Sequence, residues 1–287
     1  MKKVLLFIFV LCFSLSGYAQ ETGSVLIKNG TVMTITDGNK ADTDVLIEDG
    51  IITEIGKDLS APRGVKTVDA SGKYVMPGII DAHSHIAAVD VNEWTNPVTA
   101  EVSMEESINP NDINIYWALA GGVTSIHLMH GSANVIGGQN ETLKLRYGTG
   151  MDEMRFEGAP RTIKFALGEN PTRVHGQGFN VKPRTRMGVE QVIRDNFDAA
   201  LDYRKNREEY LAAKEAYENG DRDTPPVPVA QNERMDVLVD ILEGDVWVHT
   251  HSYRADEIVM LMRVFNDYDI ENFTFQHANE AFKVAPE

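Results

Sequence analysis

The side chains best suited to chemistry are histidines that close apolar runs. His83 and His85 end the string MPGIIDAHSH, and three further histidines close two later apolar runs: His249, His251 and His277. Because strand side chains alternate between faces, an H-x-H pair directs both imidazoles to one side, where they can share a metal ion. For an isolated pair, two polar residues at a strand end are the preferred explanation.

Three separate strand ends that carry histidines favour a metal site over the structural explanation. In a parallel barrel the carboxyl ends of the strands gather on one face, which is where chemistry is expected. We therefore predict an imidazole metal site on that face. The single cysteine, Cys12, excludes a disulfide framework and any cysteine-ligated zinc or iron–sulfur centre. Any metal must be held by nitrogen and oxygen.

The elements that position these residues come in two styles. Residues 23–75 contain short β-rich runs separated by turn-forming dipeptides: Asn29-Gly30, Asp37-Gly38 and Asp49-Gly50. This part is predicted to be a small antiparallel β unit. After Met76, apolar runs alternate with helical patterns, as in parallel βα units. Strands are expected near positions 78–83, 123–129, 142–146, 162–167, 245–250 and 273–277.

Two helices are expected between the fourth and fifth of these strands. Residues 189–218 place apolar groups on one helical face, and their charged stretch is explained as a solvated face. Pro225, Pro226 and Pro228 interrupt helical structure and predict a loop before a second helix over residues 232–242.

Composition limits the classes of function. The chain has 287 residues, of which 43% are hydrophobic and 24% charged, which is typical of a globular protein. Lys and Arg total 27 against 43 Asp and Glu, and the net charge of -16 argues against binding to nucleic-acid backbone or anionic membrane.

The first residues resemble a targeting segment. Lys2 and Lys3 precede an apolar run over residues 4–15, and small residues follow at Gly17 and Ala19. We expect cleavage after Ala19 or Gln20, giving a cysteine-free exported protein in the periplasm or outside the cell. A membrane anchor is the alternative, but the run is shorter than the roughly 20 residues that span a bilayer.

The combined motifs resemble one known family. They are VMPGIIDAHSH, GGVTSIHLMHG, SANVIGGQ, IKFALGENP, a strand ending VHTH and a strand ending QHANEA. From about residue 24 to the end, the chain resembles the amidohydrolase superfamily of metal-dependent hydrolases, specifically its imidazolonepropionase-like branch, which includes prolidase-like enzymes. This resemblance implies an α/β fold, a distorted (β/α)8 TIM-like barrel with a small β-sandwich.

The resemblance also implies a domain plan and a set of metal ligands. Residues 1–20 would be the signal peptide, 21–75 the small β-sandwich portion and 76–287 a partial barrel. A divalent metal, most simply zinc as one or two ions, would be held by residues on four strands. These are His83 and His85 for the more buried metal, a carboxylated Lys164 as a bridge, and His249 and His277 for the second metal.

Physical chemistry supports the lysine independently of the resemblance. A free ammonium cannot ligate a cation, so a buried Lys164 fits this face only as a neutral amine or an anionic carbamate. The alternative is a lysine whose head reaches solvent. Glu169 is the other candidate for a fourth-strand ligand, and we prefer Lys164 because it lies within the strand.

Other polar residues are candidates for contact with substrate. His251 would face the same side as His249 and touch the substrate or support the ligands. His130 and Gln139 are predicted to orient substrate, although a role in capping a glycine-rich loop explains them about as well. Arg173 and His175 could bind a carboxylate or phosphate, and surface loop residues are the preferred interpretation for both.

One departure from the family is large. The resemblance implies a catalytic aspartate at the end of an eighth barrel strand, whereas this sequence ends after a sixth-strand motif. About 210 residues remain for a barrel that typically needs ~250. We therefore expect a longer gene product, with the general-base aspartate beyond residue 287, and we expect residues 1–287 alone to be inactive.

The resulting functional hypothesis is an exported metal-dependent amidohydrolase. A metal-activated hydroxide would attack an amide or related C–N bond in a dipeptide, an N-acyl compound or a cyclic amide. The alternatives are a noncatalytic, degenerate metal-binding module and a mononuclear deaminase of the same superfamily. The expected partner is a small-molecule substrate, with no nucleic acid and no membrane after signal cleavage, and homo-oligomerisation is left open.

Overall fold

The computed structural model describes residues 23–287 in two compact units that divide between Pro77 and Gly78. The predicted signal peptide over residues 1–20, with Cys12, lies outside the described residues. Among residues 23–287, no helix combines the length and apolar character needed to cross a membrane.

The first unit is a five-stranded sheet. Its strands are β1 (Val25–Met33), β2 (Asn39–Glu48), β3 (Ile51–Gly56), β4 (Lys66–Asp69) and β5 (Tyr74–Val75). The spatial order is β3-β2-β1-β4, and β5 also pairs with β1. The β1–β2 and β2–β3 pairs are antiparallel, but β4 and β5 run parallel to β1. The unit is therefore mixed rather than purely antiparallel as expected.

The dipeptide Asn29-Gly30 forms a bulge inside β1 instead of the predicted turn. The pairing register with β2 shifts on either side of Gly30, and Asn29 adopts a φ of 61°. A side chain at Gly30 would clash, since a Cβ there would lie 2.6 Å from Val75 Cγ2. Asp49 and Gly50, both at positive φ, form the predicted hairpin turn between β2 and β3.

The second unit carries six strands in one curved, barrel-like sheet. They are β6 (Ile79–Ser84), β7 (Val123–Leu128), β8 (Ile136–Lys144), β9 (Arg161–Ala166), β10 (Val246–Ser252) and β11 (Phe273–His277), hydrogen-bonded in sequence order. The sheet curls so far that the rings of His83 on β6 and His277 on β11 lie 4.8 Å apart, although these strands are at opposite edges. This is the expected TIM-like fold, present as six strands.

Strand β8 departs from the predicted βα pattern. It begins at Ile136, earlier than the expected 142–146, and is antiparallel to both β7 and β9. Gly137 and Gly138 lie inside this strand. The His130 ring packs against them, which leaves no room for a side chain at either position. A Cβ at Gly137 would lie 2.7 Å from His130 Nδ1.

The helices surround the outer face of the second unit. They are α1 (Ile113–Ala120), α2 (Met151–Met154), α3 (Glu169–Pro171), α4 (Arg186–Glu218), α5 (Glu233–Glu243) and α6 (Ala255–Asp267). The long α4 and the following α5 confirm the two helices expected from apolar spacing. Thr185 caps α4 by accepting from the Gly188 N–H, and Asn232 likewise caps α5 by accepting from Met235.

The main core of this unit holds the site-bearing strands β9 and β10 against α4, α5 and α6. Phe165 of β9 packs against Phe197 of α4 and Phe265 of α6, with each pair of ring centroids 6.2–6.4 Å apart. All three are fully buried. Because dense aromatic packing resists displacement, it holds the opposite face of β9 and β10 in position.

Candidate metal centre

His83 and His85 present one nitrogen each to a common point. Their Nε2 atoms are 3.3 Å apart, and each Nδ1 is bound on the other side of the ring. The His85 Nδ1–H donates to the Met129 carbonyl at 2.9 Å, and the His83 Nδ1–H donates to Gln276 Oε1 at 2.8 Å. Since these oxygens can only accept, both neutral imidazoles carry the proton on Nδ1 and leave the Nε2 lone pair free.

This spacing fits a metal ion. Two nitrogen ligands at about 2.0–2.1 Å from a tetrahedral metal are about 3.3–3.4 Å apart. The His83 and His85 Nε2 atoms are separated by 3.3 Å. Ligand histidines usually donate their second ring N–H to a fixed oxygen, as both do here.

Lys164 lies at the centre of the same group. It is fully buried on β9, with Nζ 3.5 Å from His83 Nε2 and 3.8 Å from Met129 Sδ. Among residues 23–287 no carboxylate forms a salt bridge with it. Burial lowers the pKa of Lys164 to about 8, which favours the neutral amine that can be carboxylated. Glu169, the alternative, is exposed at the start of α3.

His249 enters the group from β10, directly beside Lys164 in the sheet register. Thr274 Oγ1 lies 3.0 Å from His249 Nδ1, and Gln276 Nε2, a donor, lies 3.1 Å from both that nitrogen and the Thr274 hydroxyl oxygen. The His249 ring also packs edge-on against His127, with centroids 4.6 Å apart. The arrangement leaves Nε2 of His249 as the nitrogen available to a metal.

His277 reaches the group through an unusual backbone conformation. In a regular strand the side chain of His277 would point to the opposite face from that of Gln276. Here, however, His277 and Ala278 have φ values of 63° and 42°. The positive φ breaks the strand pattern and brings the His277 ring to 4.8 Å from both His83 and His251. Backbone strain of this kind is concentrated at functional sites.

His251 lies beside His277 but differs from the other imidazoles. It is 2% exposed, and both of its ring nitrogens are buried without a hydrogen-bond partner among residues 23–287. Tyr253 packs against the ring at 4.4 Å between centroids. The predicted location of His251 next to the ligand candidates therefore agrees with the structure, while its role stays a prediction.

Burial keeps the imidazoles of the cluster uncharged at neutral pH. Loss of hydration lowers the pKa of His83 to about 4 and those of His249 and His251 to about 3, and nearby Lys164 adds to each shift. The pKa values of His85 and His277 are also lowered by burial. Neutral imidazole is the form that binds metal, so these side chains are in the protonation state that a metal ligand requires.

The contacts of His130 fit a structural role, which is one of the two interpretations of this residue. Its Nδ1–H donates to the Gly131 carbonyl at 3.0 Å, and its Nε2 accepts the Glu93 backbone N–H at 2.9 Å. Because both ring nitrogens are occupied by backbone groups, His130 positions the loop after β6 and has no free nitrogen for substrate. Of the two interpretations of this histidine, loop capping agrees with the geometry.

Gln139 likewise has partners other than those expected. The reversed direction of β8 places it within the strand rather than in a loop. Its Oε1 accepts from Arg161 Nη2 at 3.2 Å, and its Nε2 donates to the Ala100 carbonyl at 3.4 Å. The side chain therefore links β8 to the first residue of β9 and to the loop before α1. The expectation that it orients substrate finds no support in these contacts.

Three residues of the site were missed by sequence reasoning. Gln276 and Thr274 fix the ligand candidates, and Asn134 fixes the loop after β6 by donating to the carbonyls of Glu93 and Asn96. The one sequence feature that could have indicated Thr274 and Gln276 is their spacing of two residues, which places both side chains on one face of the strand that ends in His277. Among residues 23–287, one group of three side chains has all its ligand atoms within 4.8 Å of one another, and it is acidic and largely exposed: Asp240, Glu243 and Asp245. Two of these carboxylates pair with arginines. In the same range no three histidines of the site reach that spacing, so ligand geometry is shown for the pair His83 and His85.

The chain is similar to proteins that are named as hydrolases. No family model matches it. It is 28% identical over 268 residues to amidohydrolase tasK from Hapsidospora irregularis, covering 84% of this chain and 26% of that protein. It is 36% identical over 113 residues to a dihydroorotase from Citrifermentans bemidjiense, covering 39% of this chain and 23% of the other. The chain thus spans about a quarter of these relatives.

A solved structure gives a longer match. An amidohydrolase from Thermotoga maritima shares 34% identity and a TM-score of 0.79, covering 91% of this chain and 66% of that one. The match extends over both units. None of these relatives is named as an imidazolonepropionase, so that branch stays a prediction. Fold, sequence similarity and histidine geometry together establish that the chain belongs to the amidohydrolase superfamily.

Proposed function

We propose that this chain carries the metal centre of a hydrolase that cleaves C–N bonds in small molecules. The observation that supports it most is the pair of Nε2 atoms of His83 and His85, 3.3 Å apart, each on a ring anchored through Nδ1. The names of the relatives, amidohydrolase and dihydroorotase, describe C–N hydrolysis and support the same reaction class.

Within the proposed ligand set, His83 and His85 already have the spacing of metal ligands. His83, His85 and His249 offer Nε2 atoms, His277 adds a fourth imidazole, and Lys164 offers a buried amine. That amine reacts with carbon dioxide to form a carbamate, which creates an N–C bond and releases one proton. A divalent cation held there, most simply zinc, supplies an acidified water and polarises the carbonyl to be attacked.

The overall reaction adds water across the C–N bond. The water oxygen bonds to the carbon, the C–N bond breaks, and the leaving nitrogen takes a proton. The buried imidazoles cannot serve as strong general bases, since burial lowers the pKa values of His83 and His249 to about 4 and 3. These imidazoles therefore hold the metal and do not move this proton.

The site also has a direction for substrate entry. His85 and His277 are exposed, whereas Lys164 and His251 are buried beneath them. A substrate therefore approaches from the side of the loops that follow the strands, which is where barrel enzymes bind substrates. We propose a dipeptide, an N-acyl compound or a cyclic amide as the substrate class.

A metal-and-activity experiment tests this function. The full-length gene product, loaded with zinc, is assayed on dipeptides, N-acyl amino acids and cyclic ureas, and metal per chain is measured. We expect hydrolysis of one class, and loss of both metal and hydrolysis in His83→Asn and His277→Asn, but not in the loop variant Asp223→Asn. Metal binding without hydrolysis would instead support a noncatalytic module, and one ion per chain a mononuclear deaminase.

We further propose export of the mature protein, supported by the basic start, apolar run and small-residue end of residues 1–20. N-terminal sequencing of protein from the native cell is expected to begin after Ala19 or Gln20. A cytoplasmic species that retains Met1 would contradict export.

A further inference from the structure

A cleft of about 660 Å³ lies among the loops that follow β6, β7 and β9. Asn92 and Trp94 come from the first loop, Ser132 from the second, and Asn170, Arg173 and Gln177 from the third. These loops continue directly from the strands that carry His83, His85 and Lys164. The cleft is large enough for a metabolite-sized group.

Arg173 is the one charged residue among those that line this cleft. Its guanidinium makes no salt bridge with any residue in the range 23–287, whereas Arg186, nearby in sequence, pairs with Glu257. In a chain with a net charge of -16, an unpaired cation in a cleft free of lining carboxylates creates a local site for an anion. Its planar fork matches a carboxylate in two parallel hydrogen bonds.

The walls of the cleft are fixed before any ligand binds. The Ala133 N–H donates to Asn92 Oδ1 at 3.1 Å, and Gly131 permits this approach because a Cβ there would lie 2.3 Å from the same oxygen. Asn134 and His130 hold the backbone of Glu93 from the neighbouring loop. Preorganised walls lower the entropic cost of binding.

The amide groups around Arg173 complete a polar lining. Asn170 and Gln177 flank it on the segment after β9, and Ser132 lies on another wall. Trp94, 54% exposed, adds an aromatic surface beside them. A carboxylate with a small apolar body would therefore find both a cation and a contact surface.

We propose that this cleft is the substrate-carboxylate subsite, with Arg173 as its specificity-determining residue. The inference rests on the proposed function and narrows it: the substrate is an amide that carries a free carboxylate, such as an N-acyl amino acid, rather than a neutral cyclic amide. The carboxylate end lies on Arg173, and the C–N bond extends toward the histidines.

A binding experiment tests the subsite without requiring turnover. The metal-free full-length gene product is titrated by calorimetry with N-acetylphenylalanine and, separately, with its neutral carboxamide. The acid is expected to bind and the carboxamide to bind at least about 10-fold more weakly, because the carboxamide loses the charge-assisted hydrogen bonds to the guanidinium. Equal binding of the two probes, or no binding of the acid, would overturn the proposal.

Three variants assign the effect to Arg173. Arg173→Met should remove the preference for the acid, Arg173→Lys should retain part of it, and Arg263→Met, an exposed arginine on α6, should leave it unchanged. Binding of the acid is measured independently of hydrolysis. If the proteins bind the acid but none of them hydrolyses an amide, the result counts against the proposed hydrolase and not against the subsite. An Arg173→Met protein that keeps its preference for the acid would refute the subsite.

Discussion

Gln276 Oε1 accepts the Nδ1–H of His83 across the mouth of the barrel at 2.8 Å, although 193 residues separate the two in sequence. Through Nε2 the same amide contacts Thr274 Oγ1 and His249 Nδ1, each at 3.1 Å. One side chain thus sets the tautomer of one ligand candidate directly and supports a second. Outer groups of this kind tune metal affinity in proteins.

Replacing Gln276 should therefore weaken metal binding without unfolding the protein. Gln276→Leu is expected to lower zinc affinity by about 10–100-fold, the range found when an outer hydrogen-bond partner of a ligand is removed. Competition with a chromophoric chelator measures the affinity. Gln276→Glu keeps an acceptor for His83 and should retain much of it.

Gln231→Leu, in the exposed loop before α5, is the matched control and should bind zinc like the wild type. Thermal unfolding of the metal-free proteins separates a local effect from misfolding. Equal affinities of Gln276→Leu and Gln231→Leu would mean that the contact does not position His83.

Part of this site follows from sequence because alternation along a strand is a local rule. The positions of His83, His85 and His249 at strand ends could be predicted in that way. The orientation of the His277 side chain could not be predicted in that way, since its ring enters the site through a positive φ that no spacing rule anticipates. Its proximity to His83 depends on the curvature of the whole sheet.

The direction of β8 was also beyond sequence reasoning. Two adjacent glycines usually indicate a loop, and here they indicate close approach of the His130 ring to a strand. The contact joins residues from different elements, so only the folded chain reveals it. The long helix α4 was easier to predict, because its apolar face and the prolines that follow α4 are encoded within one continuous segment.

Lys164 should destabilise the metal-free protein at neutral pH. The pKa of Lys164 falls from 10.5 to about 8 on burial, so the unfolded chain binds the proton more tightly than the native state. The penalty is present below about pH 8 and is relieved as pH rises from 8 toward 10.5. A shift of this size corresponds to about 3 kcal/mol.

Lys164→Met is therefore expected to raise the unfolding free energy of the metal-free protein at pH 7 while reducing bound zinc. Denaturant melts and metal analysis give the two readouts, and ¹³C-carbon dioxide labelling should show a carbamate signal only in the wild type. Lys144→Met, whose ammonium lies over the Phe156 ring, is the control that should keep its metal. A Lys164→Met protein with full metal content would contradict the assignment.

His130 predicts an acid-sensitive loop. Burial lowers its pKa from 6.5 to about 4, and its neutral Nε2 accepts the Glu93 N–H. The pKa of His130 is lower in the folded state than in the unfolded chain. The contribution of its neutral ring to the free energy of unfolding is therefore complete above pH 6.5 and is lost as pH falls through about 4. Protonation of His130 at Nε2 would place its N–H donor against the N–H donor of Glu93.

Amide hydrogen exchange on the metal-free protein can detect this change. After correction for the intrinsic pH dependence, the Glu93 amide should be protected at pH 6 and lose protection near pH 4. The Gly121 amide, bonded to Trp117 at the end of α1, provides an internal reference that should stay protected. Constant protection of Glu93 across this range would show that His130 does not hold the loop by this bond.

His249 and His251 can be separated by their hydrogen bonding. His249 has its Nδ1 fixed by Thr274, which leaves Nε2 oriented for a metal, while neither nitrogen of His251 has a partner among residues 23–287. Because a ligand imidazole is normally oriented through its second nitrogen, we expect His249 to be the ligand from β10. His249→Ala should lose bound metal, and His251→Ala should retain it while changing substrate affinity. Metal content per chain and the visible spectrum of the cobalt-substituted proteins measure this difference, and retention of metal by His249→Ala with loss in His251→Ala would reverse the assignment.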